Sequence, residues 1–175
     1  MALFLMLAGV TGTFIAFYDA LEKVMHPEFR LVEPQPGHPR LSPVQLAETL
    51  KEKYPDAMFN RINLHYEAEE SVSFYLQPRP GHKNGLVNDE IFVNPYTGQL
   101  LAQRKWGDIS QGSINLLPFL YRLHFSLALE KNGRLILGIV ALIWTLDCFI
   151  GAYLTFPARQ RRSSFIPQSK SHSWL

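Results

Sequence analysis

Two uninterrupted apolar runs bracket a middle in which hydrophobic positions recur with a regular period. The first extends from Met1 to about Leu21 and meets no charge before Asp19. At a rise of about 1.5 Å per residue, such a helix crosses a hydrocarbon layer of about 30 Å. The second, Leu135 to Phe156, is 22 residues long, carries one charge, Asp147, and stops at Pro157. The pattern therefore predicts transmembrane helices over residues 1–22 and 134–156. A cleaved signal peptide would bring a basic leader and a small-residue cleavage site. Here Ala2-Leu3-Phe4-Leu5 follows Met1 at once, and the run closes with Tyr18-Asp19-Ala20-Leu21-Glu22, which reads as an uncleaved anchor.

Between the runs the period changes from helical to strand-like. Ser42-Pro43-Val44-Gln45 combines an N-cap serine, a proline at the first helical position and a capping-box glutamine. Leu41, Val44, Ala47, Leu50 and Tyr54 mark one face of the helix this starts, which ends near Tyr54-Pro55-Asp56. Beyond it, Ile62, Leu64 and Tyr66 alternate with polar residues, as do Val72, Phe74 and Leu76, with an acidic turn from Glu67 to Glu70. A Pro/Gly loop from Pro78 to Gly85 leads to a third strand, Glu90 to Val93. Asn94-Pro95-Tyr96-Thr97-Gly98 turns that strand into a fourth, Gln99 to Gln103. The expected fold class is an α+β domain over residues 23–115, one helix on a small antiparallel sheet, flanked by the two transmembrane helices.

Leu116, Phe119, Leu120, Leu123 and Leu127 form a stripe at helical spacing, which predicts an amphipathic helix over residues 116–131 lying in the membrane interface. Asn132-Gly133 supplies the expected break before the second span.

Charge orients this arrangement. The tail, residues 157–175, holds Arg159, Arg161, Arg162 and Lys170 and no acid, whereas residues 22 to 116 hold ten Lys/Arg and twelve Asp/Glu. The tail belongs in the cytoplasm, and two spans then place the middle domain outside. The basic cluster has topology as its first task, which argues against nucleic-acid binding. The single cysteine, Cys148, excludes an intramolecular disulfide. No serine elbow, Gly-rich phosphate loop or paired-carboxylate motif points to hydrolysis.

Three segments carry a family resemblance: Ala8-Gly9-Val10-Thr11-Gly12-Thr13-Phe14, then Phe92-Val93-Asn94-Pro95-Tyr96-Thr97-Gly98-Gln99-Leu100, then Leu120-Tyr121-Arg122-Leu123-His124-Phe125 followed by Gly133-Arg134. In this order the chain resembles the PepSY-associated transmembrane family, as a shortened member, over nearly its whole length to about Pro157. The resemblance implies a bacterial inner-membrane protein and a link to iron. Some members are similar to reductases that release iron from siderophores, using b-type haem held by membrane histidines. Typical members are longer, and their histidine and basic residues ahead of the first helix have no counterpart in this sequence.

Three functions follow as expectations. The first is a membrane-anchored interaction or regulatory module in iron–siderophore uptake, with no catalysis of its own. The second is a split haem-binding subunit of a ferric-siderophore reductase, and the third a protease-inhibitor-like or chaperone-like PepSY module. His124 matches the family's leucine-histidine position and reads either as an axial haem ligand or as an interfacial histidine beside an apolar stripe. His26, just past the first span, is a conceivable second ligand or simply a linker residue next to Pro27. His38, His65, His82 and His172 show no metal-ligand spacing. Asn94 and Gly98 stand out as the fixed points of the turn motif. Asp147 lies mid-span, where a carboxylate costs on the order of 2.5 to 3.5 kcal/mol unless paired or protonated. That calls for Thr11 or Thr13, or else for self-association or another membrane protein alongside the bilayer itself.

Overall fold

The computed structural model describes residues 2–62, 66–81 and 86–156. It divides into a body, residues 1–137, and a second unit, residues 138–175. The expected antiparallel sheet is present: β1 (Ala57–Ile62), β2 (Val72–Pro78), β3 (Glu90–Val93) and β4 (Leu100–Arg104), in that order across the sheet. Each strand runs antiparallel to the next.

One face of the sheet builds the core. Val72, Phe74, Leu76, Ile91 and Val93 project to it and meet Leu46, Ala47 and Leu50 of a helix, Pro43–Lys53. Full burial of each large side chain here stabilises the fold by about 1.5–3 kcal/mol. The helix begins as the sequence predicts: Ser42 Oγ accepts from Gln45 N–H at 3.3 Å, and Gln45 Oε1 accepts from Ser42 N–H at 2.8 Å. Its buried face, however, is Leu46, Ala47 and Leu50, while Val44 is 60% exposed. Two residues turn a helix by about 200°, so Val44 points away from Leu46.

The opposite face is covered too over β3 and β4, which corrects the expectation of one helix on the sheet. The first apolar run is not one straight rod: α1 (Ala2–Ala16) and α2 (Tyr18–Met25) meet at Phe17 with a bend of 68°. After α2 comes a single turn, α3 (Pro27–Arg30), which was not expected. Phe29 of α3 packs on Phe92 with ring centroids 4.6 Å apart. The helix over Pro43–Lys53 is thus α4 in chain order.

Two strands differ from the alternation. β1 starts at Ala57, ahead of the alternating stretch, because a bulge at Asn60 separates the pairs Phe59↔Leu76 and Arg61↔Tyr75. The bulge shifts the phase, so Phe59 and Ile62 both pack toward the core and period 2 fails. Residues 63–65, with Leu64 and His65 of the expected strand, lie outside the described residues, as do His82, His172 and the basic tail. β4 runs one residue further than expected and ends on Arg104.

α5 (Leu116–Ser126) covers most of the expected amphipathic stretch. The chain turns at Leu127 (φ 49°) and Ala128 (φ 57°), not at Asn132-Gly133, and α6 (Glu130–Thr155) already includes both of those residues. Gly133 instead permits a close approach, since a Cβ there would sit 1.6 Å from Ser126 O. α6 is long and apolar enough to cross a membrane, with a mean hydropathy of 2.2, and the bent α1–α2 pair passes the same test when taken as one span.

Candidate functional site: a buried ionic row and the groove above it

The sheet register sets up the first feature. Tyr75 pairs with Glu90, and Glu90 with Arg104, so three polar side chains line up across β2, β3 and β4 on the face away from the core. Arg104 is fully buried. Its Nε donates to Glu90 Oε2 at 2.5 Å, and its Nη1 donates to Glu22 Oε1 at 2.6 Å and to Ile114 O at 2.7 Å. Nη2 donates to the Tyr18 hydroxyl at 3.3 Å. Below the guanidinium lies the Phe92 ring, 5.0 Å away. Arg30 Nε stands 3.4 Å from the other Glu22 oxygen, and Arg30 also pairs with Asp19. Lys23 bridges Asp19 at 2.5 Å and pairs with Glu70. These bonds explain the bend at Phe17, because Tyr18 and Glu22 of α2 are drawn to Arg104 on the sheet.

Burial perturbs the row. It pushes Glu90 above the usual carboxylate range, against the pull of the Arg104 guanidinium. Burial also works against the charge on Arg104, but Glu90 and Glu22 outweigh it and hold the guanidinium above its usual value. Tyr75, half-buried beside Glu90, has its phenol pushed up by desolvation and by that carboxylate. An arginine between two carboxylates in low dielectric is held by geometry, and losing one partner leaves an uncompensated charge.

Sequence reading missed this row. The available signal was partial: the hairpin brings Glu90 close to Arg104, but the turn alone, with Val93 opposite Leu100, would set it against Gln103, and a bulge between Phe92 and Val93 supplies the shift. Glu22 and Tyr18 carried no such signal, because their partners come from a distant part of the chain.

Above the row, α2 leaves the β1–β2 half of the face open. A groove of about 520 Å³ lies there, lined by Tyr18, Arg61, Tyr75, Asp89, Trp106 and Tyr121 among others. A second cavity of about 300 Å³ shares Tyr18, Arg61 and Tyr75 and reaches Glu22 and Glu90.

His124 lies elsewhere, where α5 packs on α1. Its Nδ1 is 2.9 Å from Thr11 Oγ1, and Gly12 lets the ring approach to 3.4 Å of where a Cβ would be. Thr11 has one hydroxyl proton and donates it to Leu7 O at 2.7 Å. With that proton on Leu7 O, the nearest acceptor, His124 Nδ1 donates to Thr11 and the ring's lone pair is on Nε2. His26 is buried and stacked on Phe29, with Nδ1 at 3.1 Å from Glu28 Oε1 and Nε2 at 3.2 Å from Ser113 O. The structure brings the two histidines onto separate sets of partners.

Asn94 and Gly98 hold the β3–β4 turn. Asn94 Oδ1 accepts from Tyr96 N–H at 2.8 Å, Gly98 N–H donates to Asn94 O at 2.9 Å, and Gly98 has φ 70°. Asp147 is exposed on α6 and makes no ion pair among the described residues. Thr11 and Thr13 direct their hydroxyls to Leu7 and Gly9 carbonyls.

An α+β sheet pinned by ionic bonds to the continuation of an apolar helix, in a chain with a second apolar helix of spanning length, defines a membrane-associated class of protein. The family model for the PepSY-associated TM region matches residues 1–175, the whole chain, and the protein belongs to that family. No curated protein matches the chain.

Proposed function

We propose that this protein is a membrane-anchored PepSY module that acts by binding a partner, in the iron–siderophore uptake that the family resemblance implies. In this reading the bent α1–α2 pair and α6 are its two membrane helices, the sheet domain stands outside the inner membrane and the C-terminal tail is cytoplasmic. The observation that carries it is the Arg104 row, which fixes the sheet to the helix leaving the membrane. A module latched in this way presents its open sheet face at a set height and angle to a neighbouring protein. The exposed Asp147 supports a helix of that partner, or of a second copy, beside α6.

The test uses the full chain with Cys148→Ser and a single new cysteine at Lys51 or Ser163. A membrane-impermeant maleimide labels Lys51→Cys in intact spheroplasts, and Ser163→Cys only after lysis. The reverse labelling overturns the topology.

The free Nε2 of His124 favours a second reading, a haem-binding subunit. Haem b, when bound, would supply one-electron reduction of a ferric siderophore. His124 is the residue that would hold the haem, through Nε2, with Nδ1 turned to Thr11. His26 would not supply a second ligand, since both its nitrogens face oxygen acceptors. Absorption spectra of detergent-purified protein, oxidised and dithionite-reduced, decide this. Sharp reduced α and β bands that vanish in His124→Ala support it, and a featureless spectrum from folded protein supplied with haem removes it.

A further inference from the structure

The groove over β1 and β2 contains two opposite charges without ionic partners. Among the described residues Arg61 makes no ion pair, its guanidinium resting 5.5 Å over the Tyr75 ring. Asp89 makes none either, and one of its oxygens accepts from Trp106 N–H at 2.6 Å. Around them stand four aromatic walls, Tyr18, Tyr75, Trp106 and Tyr121. Aromatic faces attract ammonium groups, and a guanidinium suits a phosphate. The complement of one free cation, one free carboxylate and an aromatic enclosure is a zwitterion carrying phosphate and ammonium.

Position narrows the source of that zwitterion. Tyr18 is the second residue after α1 ends, and Trp and Tyr concentrate where a membrane helix meets water. From the groove wall an aromatic ladder leads outward: Trp106 to Tyr121 at 5.4 Å, then Tyr121 stacked on Phe125 at 4.5 Å. Phe125 is 51% exposed, and Phe17 at the bend is 62% exposed. The ladder gives acyl chains an apolar path from a polar head site, and 520 Å³ accommodates a headgroup with its glycerol.

We propose that this groove binds the headgroup of a phosphoethanolamine lipid, with its phosphate on Arg61 and its ammonium between Asp89 and the aromatic rings. The site rests on the membrane-anchored reading above, since it takes its ligand from the surrounding bilayer.

The experiment reconstitutes the full chain into nanodiscs of equimolar phosphoethanolamine and phosphoglycerol lipids with matched acyl chains, and identifies retained lipid by native mass spectrometry. Phosphoethanolamine is retained in about tenfold preference. The preference falls to parity in Asp89→Asn, which keeps the acceptor for Trp106 N–H, whereas Arg61→Gln lowers the retention of both lipids, since both carry the phosphate. Lys51→Ala, exposed on α4, keeps the preference. Parity in the unaltered protein, a preference that survives Asp89→Asn, or undiminished retention in Arg61→Gln overturns the site. Soluble glycerophosphoethanolamine leaves the melting temperature unchanged in detergent, and a rise equal to that given by the lipid would overturn the membrane source. Recovery of the chain in the membrane fraction, measured first, separates failure of the lipid site from failure of the anchor.

Discussion

Arg104 donates to Glu22 across 82 residues of sequence, at 2.6 Å, while its Nε holds Glu90 on the neighbouring strand. This one side chain joins the end of the first apolar run to the edge of the sheet. Replacing it with alanine leaves two buried carboxylates facing each other, and Arg104→Ala is expected to destabilise the body by about 3–5 kcal/mol. Chemical denaturation of the detergent-solubilised protein measures this. The triple variant Glu22→Leu, Glu90→Leu, Arg104→Met is expected to recover most of the loss, because an apolar cluster of similar volume needs no compensation. A triple variant no more stable than Arg104→Ala would contradict that account.

The raised pKa of Glu90 gives stability a pH dependence of definite sign. Between the ordinary glutamate value and the raised one, the folded protein binds more protons at this site than the unfolded chain does. Its contribution is therefore fully present below the unfolded value and declines as pH rises through that window. Melting temperature recorded against pH should show this decline, and Glu90→Gln should lack that component. An unchanged profile in the variant would assign the slope to other groups.

The Ser42 cap is a local matter. Ser42→Ala removes the acceptor for Gln45 N–H and is expected to lower stability by about 1 kcal/mol, read as a drop in melting temperature.

At the β3–β4 turn, Gly98 has φ 70°, so a side chain there is strained according to its type. Gly98→Ala should lose about 1 kcal/mol and Gly98→Asn distinctly less, because asparagine tolerates the left-handed region. Equal losses in a thermal-shift comparison would point to packing and not to backbone conformation.

The tautomer of His124 can be read directly. Nitrogen-15 spectra of protein labelled at histidine should show protonated Nδ1 and bare Nε2 at this ring, a state that Thr11→Val releases. The measurement does not depend on any bound group.

Much of the sheet was legible because its evidence is local. The Ser42–Gln45 box, the alternation through Val72–Leu76 and the Asn94–Gly98 turn each lie within a few residues, and each appears in the structure. Where reading failed, distant chemistry decided the outcome. The apolar run looked continuous to Leu21, but Tyr18 and Glu22 find their partner at Arg104, and the helix bends to reach it. Asn132-Gly133 looked like a break, yet Gly133 lies within α6 as the spot where Ser126 O comes close, a property visible only in three dimensions. Of the candidate residues, Asn94 and Gly98 were placed by a local motif. The Arg104 row needed strand register to emerge.

The 82-residue separation between Glu22 and Arg104 also has a consequence for biogenesis. A ribosome adding about 5–20 residues per second releases Glu22 several seconds before Arg104 exists. During that interval Glu22 can pair only with the nearby Arg30, and its other oxygen still faces water. Arrival of the arginine fills that oxygen and ties the helix to the sheet, so the row forms only after β4 has been made. A product truncated before β4 would lack both carboxylate bonds that Arg104 makes and would leave α2 untied from the sheet.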